Sequence, residues 1–123
     1  MSLRILLVDD NEVNRKVASL MLKKLGHHAD LATNGIEAIE ALEHQSYDLV
    51  LMDIQMPTMD GLVATKIIRQ RWHQTSKIII ITAYTNYHDV CIDAGADDFM
   101  TKPLVIETLK ETIRCNMPRP SFM

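Results

Sequence analysis

Asp9, Asp10, Asp53, Thr82 and Lys102 each follow a run of apolar residues: LRILLV before the aspartate pair, DLVLM before Asp53, KIIII before Thr82 and DFMT before Lys102. Three carboxylates, a hydroxyl and an ammonium gathered in one place have a definite chemistry. Carboxylates held close together, away from bulk water, repel one another and resist ionisation until something neutralises them. A hard divalent cation does so, and Mg²⁺ prefers a few carboxylate oxygens completed by water and phosphate oxygens; Mn²⁺ is the alternative. Asp53 is then the natural nucleophile, because a carboxylate can attack phosphorus and form an acyl phosphate. Thr82 could donate its hydroxyl to a phosphoryl oxygen, and Lys102 could balance charge spread over the equatorial oxygens in transfer. No Ser/His/Asp relay is needed, since phosphoryl transfer depends on alignment and electrostatics. Singly, each residue has a plainer reading. An aspartate after a strand is commonly a turn residue or helix cap, Thr82 suits a strand, and Lys102 suits a solvated surface. Those readings leave unexplained why all five fall at the ends of apolar runs.

The positioning elements follow from the pattern. Leu3 to Val8, Asp48 to Met52 and Lys77 to Thr82 are nearly continuous apolar runs, as strands buried on both faces of a parallel sheet require. Ala29 to Ala32 is a weaker strand closed by Thr33-Asn34-Gly35, and Asp98 to Thr101 is a fifth. Between them lie helical patterns over Asn11 to Leu25, Ile36 to His44, a third opened by Asp60-Gly61, Asn86 to Ala94, and Leu104 to Arg114. In the first helix Val13, Val17, Leu20 and Met21 form the expected inward face, and Gly26 the stop. In the second, Ile39 and Leu42 point inward; in the third, Asp60 is the N-cap. Five βα units predict an α/β fold, a doubly wound parallel sheet with helices on both faces. Ligands of such sheets sit beyond the carboxyl ends of the strands, where the five residues fall.

Composition narrows the class. The chain has 123 residues, room for one domain, here residues 1–116 with a flexible tail at 117–123 around Met117-Pro118-Arg119-Pro120. Thirteen Lys and Arg against 16 Asp and Glu give a net charge of −3, which supplies no basic stripe for direct nucleic-acid binding. Cys91 and Cys115 form no CxxC pair, no apolar run is long enough to span a bilayer, and no leader pattern opens the chain. A reduced cytoplasmic setting without membrane insertion is expected. The five histidines show no ligand spacing, the eight methionines read as core filler, and no glycine-rich phosphate loop is present. Met56 and Met59, near Asp53, suit either a donor-docking surface or loop packing.

The stretches Leu6-Leu7-Val8-Asp9-Asp10, Met52-Asp53-Ile54-Gln55-Met56-Pro57, Asp60-Gly61, Ile81-Thr82-Ala83, Ala94-Gly95-Ala96 and Lys102-Pro103 resemble those of response-regulator receiver domains over nearly the whole chain. The resemblance implies a (βα)5 flavodoxin-like fold with strand order 2-1-3-4-5. It further implies that Asp53 is the phosphoacceptor and that Asp10 and Asp53 bind Mg²⁺ directly. Asp9 would act through water, and Gln55 would give a backbone carbonyl. Thr82 and Lys102 match the phosphoryl contacts, and the peptide before Pro103 is expected to be cis, a state that X-Pro bonds make accessible. The donor would be a phosphohistidine on a sensor histidine kinase or a histidine phosphotransfer protein. Phe99 occupies the switch position, where many members carry Tyr. Thr82 and Lys102 are 20 positions apart (102 − 82), which shortens the fourth-helix region relative to the family. Val8 to Arg15 is similar to receivers fused to histidine kinases, so a module of a hybrid kinase is expected. Two other functions fit the same residues less well. An aspartyl-phosphate phosphohydrolase commonly carries a second acid two residues after the nucleophile, where this chain has Gln55. A degenerate receiver used only as a scaffold would have no need of the intact set.

Overall fold

A computed structural model describes residues 3–54, 56, 59–72 and 76–116. Gln55, His73 and the tail expected at 117–123 lie outside those residues. Strand and helix alternate throughout: β1 (Arg4–Val8), α1 (Glu12–Lys24), β2 (His28–Ala32), α2 (Gly35–His44), β3 (Leu49–Asp53), α3 (Gly61–Arg71), β4 (Lys77–Thr82), α4 (His88–Ala94), β5 (Asp98–Thr101) and α5 (Ile106–Asn116). A 3₁₀ turn, Thr85–Tyr87, leads into α4. All the strand pairs are parallel, in the order β2-β1-β3-β4-β5. This is the flavodoxin-like (βα)5 arrangement.

Because side chains alternate along a strand, the central strands feed two cores. Leu6, Val8, Val50, Met52, Ile78 and Ile80 pack with Ala38 and Ile39 of α2, Ala64 and Ile68 of α3, and Cys91 of α4. On the opposite face Ile5, Leu7, Leu49, Leu51, Ile79 and Ile81 pack with Ala18 and Leu22 of α1 and Leu109 and Ile113 of α5. Each helix is started by local chemistry. The side chains of Asn11, Asn34 and Asp60 accept from the backbone N–H three residues on, opening α1, α2 and α3. Gly26, at φ +89°, ends α1 in the left-handed region.

Three sequence expectations need correction. The inward face of α1 is not Val13, Val17 and Leu20, which are 68%, 46% and 60% exposed. Ala18 and Leu22 point into the core, with Met21 and Leu25 at its edge. At about 100° per residue the valine stripe lies on the far side of the helix. The small Ala18 marks where α1 comes close to the sheet. The fourth helical segment begins as the 3₁₀ turn, leaving α4 only seven residues. The last helix starts at Ile106 instead of Leu104. Leu104 packs against the second core from the loop that precedes the helix. Met56 and Met59 both pack on the first core, the loop-packing reading of those residues.

Candidate functional site

The register of the sheet brings the acidic residues together. Val8 pairs with Met52, so Asp9 and Asp53 leave neighbouring strands at the same height. Asp53 in turn pairs with Ile81, and Thr82 with Thr101, which ranges Asp9, Asp53, Thr82 and Lys102 along one edge. Asp9, Asp10 and Asp53 can each present one carboxylate oxygen such that all three lie within 4.8 Å of one another. Asp9 and Asp53 are buried and Asp10 is exposed, so the cluster opens to solvent on the Asp10 side. Lys102 Nζ lies 3.0 Å from Asp53 Oδ1.

These charges oppose one another. Burial pushes the Asp53 carboxyl up from the usual carboxylate range, the hydrogen bond from Lys102 pulls it back, and the charges of Asp9 and Asp10 push it up again. A single ammonium thus faces three carboxylates. The donor set is all oxygen, hard and partly open, which fits a cation of the Mg²⁺ type. Among the described residues this is the one cluster of three or more candidate ligands.

Backbone contacts hold the site in shape. The Asp9 N–H donates to the Ala32 carbonyl at 3.1 Å, and Asp9 Oδ1 accepts the Asn11 N–H at 2.9 Å. Gly61 opens α3 directly against the end of β3. Its N–H donates to the Ile54 carbonyl at 2.9 Å, and a Cβ there would stand 2.2 Å from the Asp53 carbonyl oxygen. Only glycine allows that approach. Thr82 is 2% exposed, and its Oγ1 accepts the Tyr84 N–H at 3.0 Å. The Lys102 N–H donates to the Thr82 carbonyl at 2.8 Å, setting the lysine beside the threonine. The Lys102–Pro103 peptide is cis. Phe99 is half-buried against the first core, and its ring lies 5.1 Å from that of His88, tilted by 52°.

The sequence therefore located Asp9, Asp10, Asp53 and Lys102 at one point and Thr82 beside them, with Phe99 two positions before Thr101, the partner of Thr82. It did not single out Gly61 beyond its turn chemistry, nor His88 as a neighbour of Phe99. Nor does residue type alone mark Arg15, whose Nη1 donates to the Asp9 carbonyl oxygen at 2.7 Å. The available signal for Arg15 was a long cation one turn into the helix that follows an acidic strand end.

Comparison with known proteins agrees with this geometry. The hybrid signal transduction histidine kinase F of Dictyostelium discoideum is 44% identical over 119 residues, covering 90% of this chain but 11% of that protein. The chain thus spans a small part of such relatives. The receiver domain of a sensor histidine kinase from Pseudomonas aeruginosa, solved with a magnesium ion in its active-site cleft, is 36% identical with a TM-score of 0.85, covering 94% of this chain and 97% of that one. The response regulator TrrA of Thermotoga maritima, in complex with Mg²⁺–BeF, is also 36% identical, with a TM-score of 0.84 and coverage of 93% and 98%. With the response regulator receiver domain model matching residues 5–114, this chain belongs to the receiver domain family.

Proposed function

We propose that this chain is the phosphoacceptor module of a two-component relay, taking a phosphoryl group onto Asp53 from a phosphohistidine donor. The observation that carries the reading is the meeting of three carboxylates within 4.8 Å, with Lys102 3.0 Å from the most buried of them. Asp9, Asp10 and Asp53, with the backbone carbonyl of Gln55, would hold Mg²⁺ or Mn²⁺. When bound, the ion neutralises the carboxylates and screens the incoming phosphoryl oxygens from them.

The chain's own residues do the rest. An Asp53 oxygen attacks phosphorus in line as the N–P bond to the donor imidazole breaks, and the imidazole leaves with the bonding pair. Lys102, 3.0 Å from Asp53 Oδ1, offers an ammonium to the phosphoryl oxygens. Thr82 turns its hydroxyl toward the same group. Held in place beforehand, both contacts need little rearrangement as the charge moves. A base is not required when the attacking group is an ionised carboxylate. The chemistry ends on the chain itself, as in a signalling module and unlike an enzyme with turnover.

The added charge then acts as a switch. Thr82 now accepts from the Tyr84 N–H, and drawing its hydroxyl inward shifts the segment after β4 and opens space for Phe99. The surface made by α4, β5 and α5 would present a different face to its partner. The phosphoryl donor is a sensor histidine kinase or a histidine phosphotransfer protein, and the chain is a module, residues 1–116, of a hybrid kinase. The hybrid kinase relatives and the receiver cut from a sensor kinase support this.

The test is to incubate the protein with Mg²⁺ and acetyl phosphate and look for one acid-stable, base-labile adduct that Asp53→Asn abolishes. Steady turnover of unrelated phosphate esters would instead identify a hydrolase, and the absence of any adduct a scaffold.

A further inference from the structure

The geometry points to Arg15 as a positioning residue for the cation site: its guanidinium locks the peptide that carries Asp9 and Asp10. This rests on the cation-binding reading just proposed. The carbonyl of Asp9 lies just past the end of β1, beyond the last paired residues Val8 and Met52. Arg15 Nη1 donates to that oxygen at 2.7 Å, while the Arg15 backbone N–H donates to the Asn11 carbonyl at 3.0 Å as α1 begins. One residue thus ties helix and strand across six positions.

With its N–H on Ala32 and its Oδ1 on the Asn11 N–H, Asp9 is then fixed at three atoms. The peptide plane between Asp9 and Asp10 can no longer turn. That plane matters because Asp10 hangs from its far side and is exposed, so nothing comparable to the burial of Asp53 holds it. A guanidinium suits the task better than an ammonium, since its planar fork holds its donors in a fixed direction. The same cation lies close enough to Glu37 to help hold that carboxyl below the usual range, after the N–H of Thr33, which Glu37 Oε1 accepts at 2.8 Å.

Positioning and plain charge predict opposite signs. Removing a cation near three carboxylates should, by charge alone, strengthen their pull on Mg²⁺. Releasing the Asp9–Asp10 peptide should weaken it, as loss of outer contacts to metal ligands commonly does by roughly 10-fold or more. The experiment is calorimetric titration with MgCl₂ of the wild type, Arg15→Met, Arg15→Lys and Glu37→Gln, alongside thermal unfolding in EDTA and amide NMR of the metal-free proteins. We expect Arg15→Met to bind Mg²⁺ about 10-fold more weakly, with the Asp10 and Asn11 amides shifted before any metal is added. Arg15→Lys should fall between it and the wild type, and Glu37→Gln should bind as the wild type does. Arg15→Met binding as tightly as the wild type, or more tightly, overturns the assignment. An equal loss in Glu37→Gln does so too, because the arginine would then act through the glutamate. If Arg15→Met fails to fold, Arg15→Lys decides: wild-type affinity there overturns the proposal and weakened affinity supports it. A wild type that does not bind Mg²⁺ would overturn the parent reading along with it.

Discussion

The surroundings of Asp53 push its carboxyl in opposing directions, and this has a consequence for stability. Burial raises its carboxyl, Lys102 lowers it, and Asp9 and Asp10 raise it again, with a net upward shift. A carboxyl whose folded value is raised binds its proton more firmly in the native state than in the unfolded chain. Its contribution is therefore most favourable at low pH and is lost as pH rises through the folded value. Glu37, lowered by the Thr33 N–H, works in the opposite sense, so the comparison must be between wild type and Asp53→Asn. Without divalent cations, the variant should gain on the wild type as pH rises above the ordinary carboxylate range. Mg²⁺ should close the gap by stabilising only the wild type. Urea midpoints across that range measure it, and a gap that does not change with pH would contradict the account. At this scale the sequence was most legible where residue type alone dictates chemistry. An aspartate, a lysine or a threonine after one apolar run says little alone, but five such residues at the ends of successive runs carry a joint chemistry. Arg15 and Gly61 were harder to read because their roles belong to a carbonyl oxygen on another segment, at 2.7 Å in one case and 2.2 Å from an imagined Cβ in the other.

Elements deliver the site residues, and substitutions can separate delivery from bulk packing. Gly61→Ala puts a methyl group into the Asp53 carbonyl; the helix or the strand end must move. It should cost roughly 1–3 kcal/mol and slow phosphorylation from acetyl phosphate even under conditions where the protein stays folded. Normal phosphorylation in a folded Gly61→Ala protein would show that the approach of α3 does not set Asp53. In α1, Leu22→Ala empties a fully buried position and should cost about 2–5 kcal/mol. Val13→Thr and Leu20→Gln, on the exposed side, should change stability by no more than about 0.5 kcal/mol. Chemical denaturation of the three variants measures the contrast. The α1 sequence holds two apolar stripes, Ala18, Met21, Leu22 and Leu25 on one side and Val13, Val17 and Leu20 on the other. Hydrophobicity alone could not tell Ala18 and Leu22 from Val13, Val17 and Leu20; only the closeness of the helix to the sheet does. The short α4 depends on contacts distant in sequence. It is braced by Arg69 of α3, which donates to the Gly95 carbonyl at 2.8 Å and to Asp97 Oδ2 at 2.6 Å, a tie between residues 26 and 28 positions apart that no local pattern announces.

For the molecule as a whole, the alternation of strand and helix predicted a doubly wound sheet, but the strand order came from family resemblance. Periodicity says which faces are buried and nothing about which strand neighbours which. That order places β1 and β3 side by side and β4 and β5 at one flank, so an event at Asp53 has a short structural route to the flank. Asp53 pairs with Ile81, the next residue is Thr82, and Thr82 pairs with Thr101 two positions beyond Phe99. The route ends at the contact between the rings of Phe99 and His88. A phosphoryl mimic can bias that contact only through a difference in its interactions with two arrangements of the flank. Adding Mg²⁺ and beryllofluoride should therefore shift the ring signals of both Phe99 and His88 in NMR spectra. Tyr47, whose hydroxyl donates to Asp30 Oδ2 at 2.7 Å near the opposite end of the sheet, should stay unchanged. Asp53→Asn should abolish the response. If Phe99 and His88 stay unshifted while the backbone around Asp53 responds, the site and the flank are uncoupled, and the shortened α4 region has severed the route from acceptor to output surface.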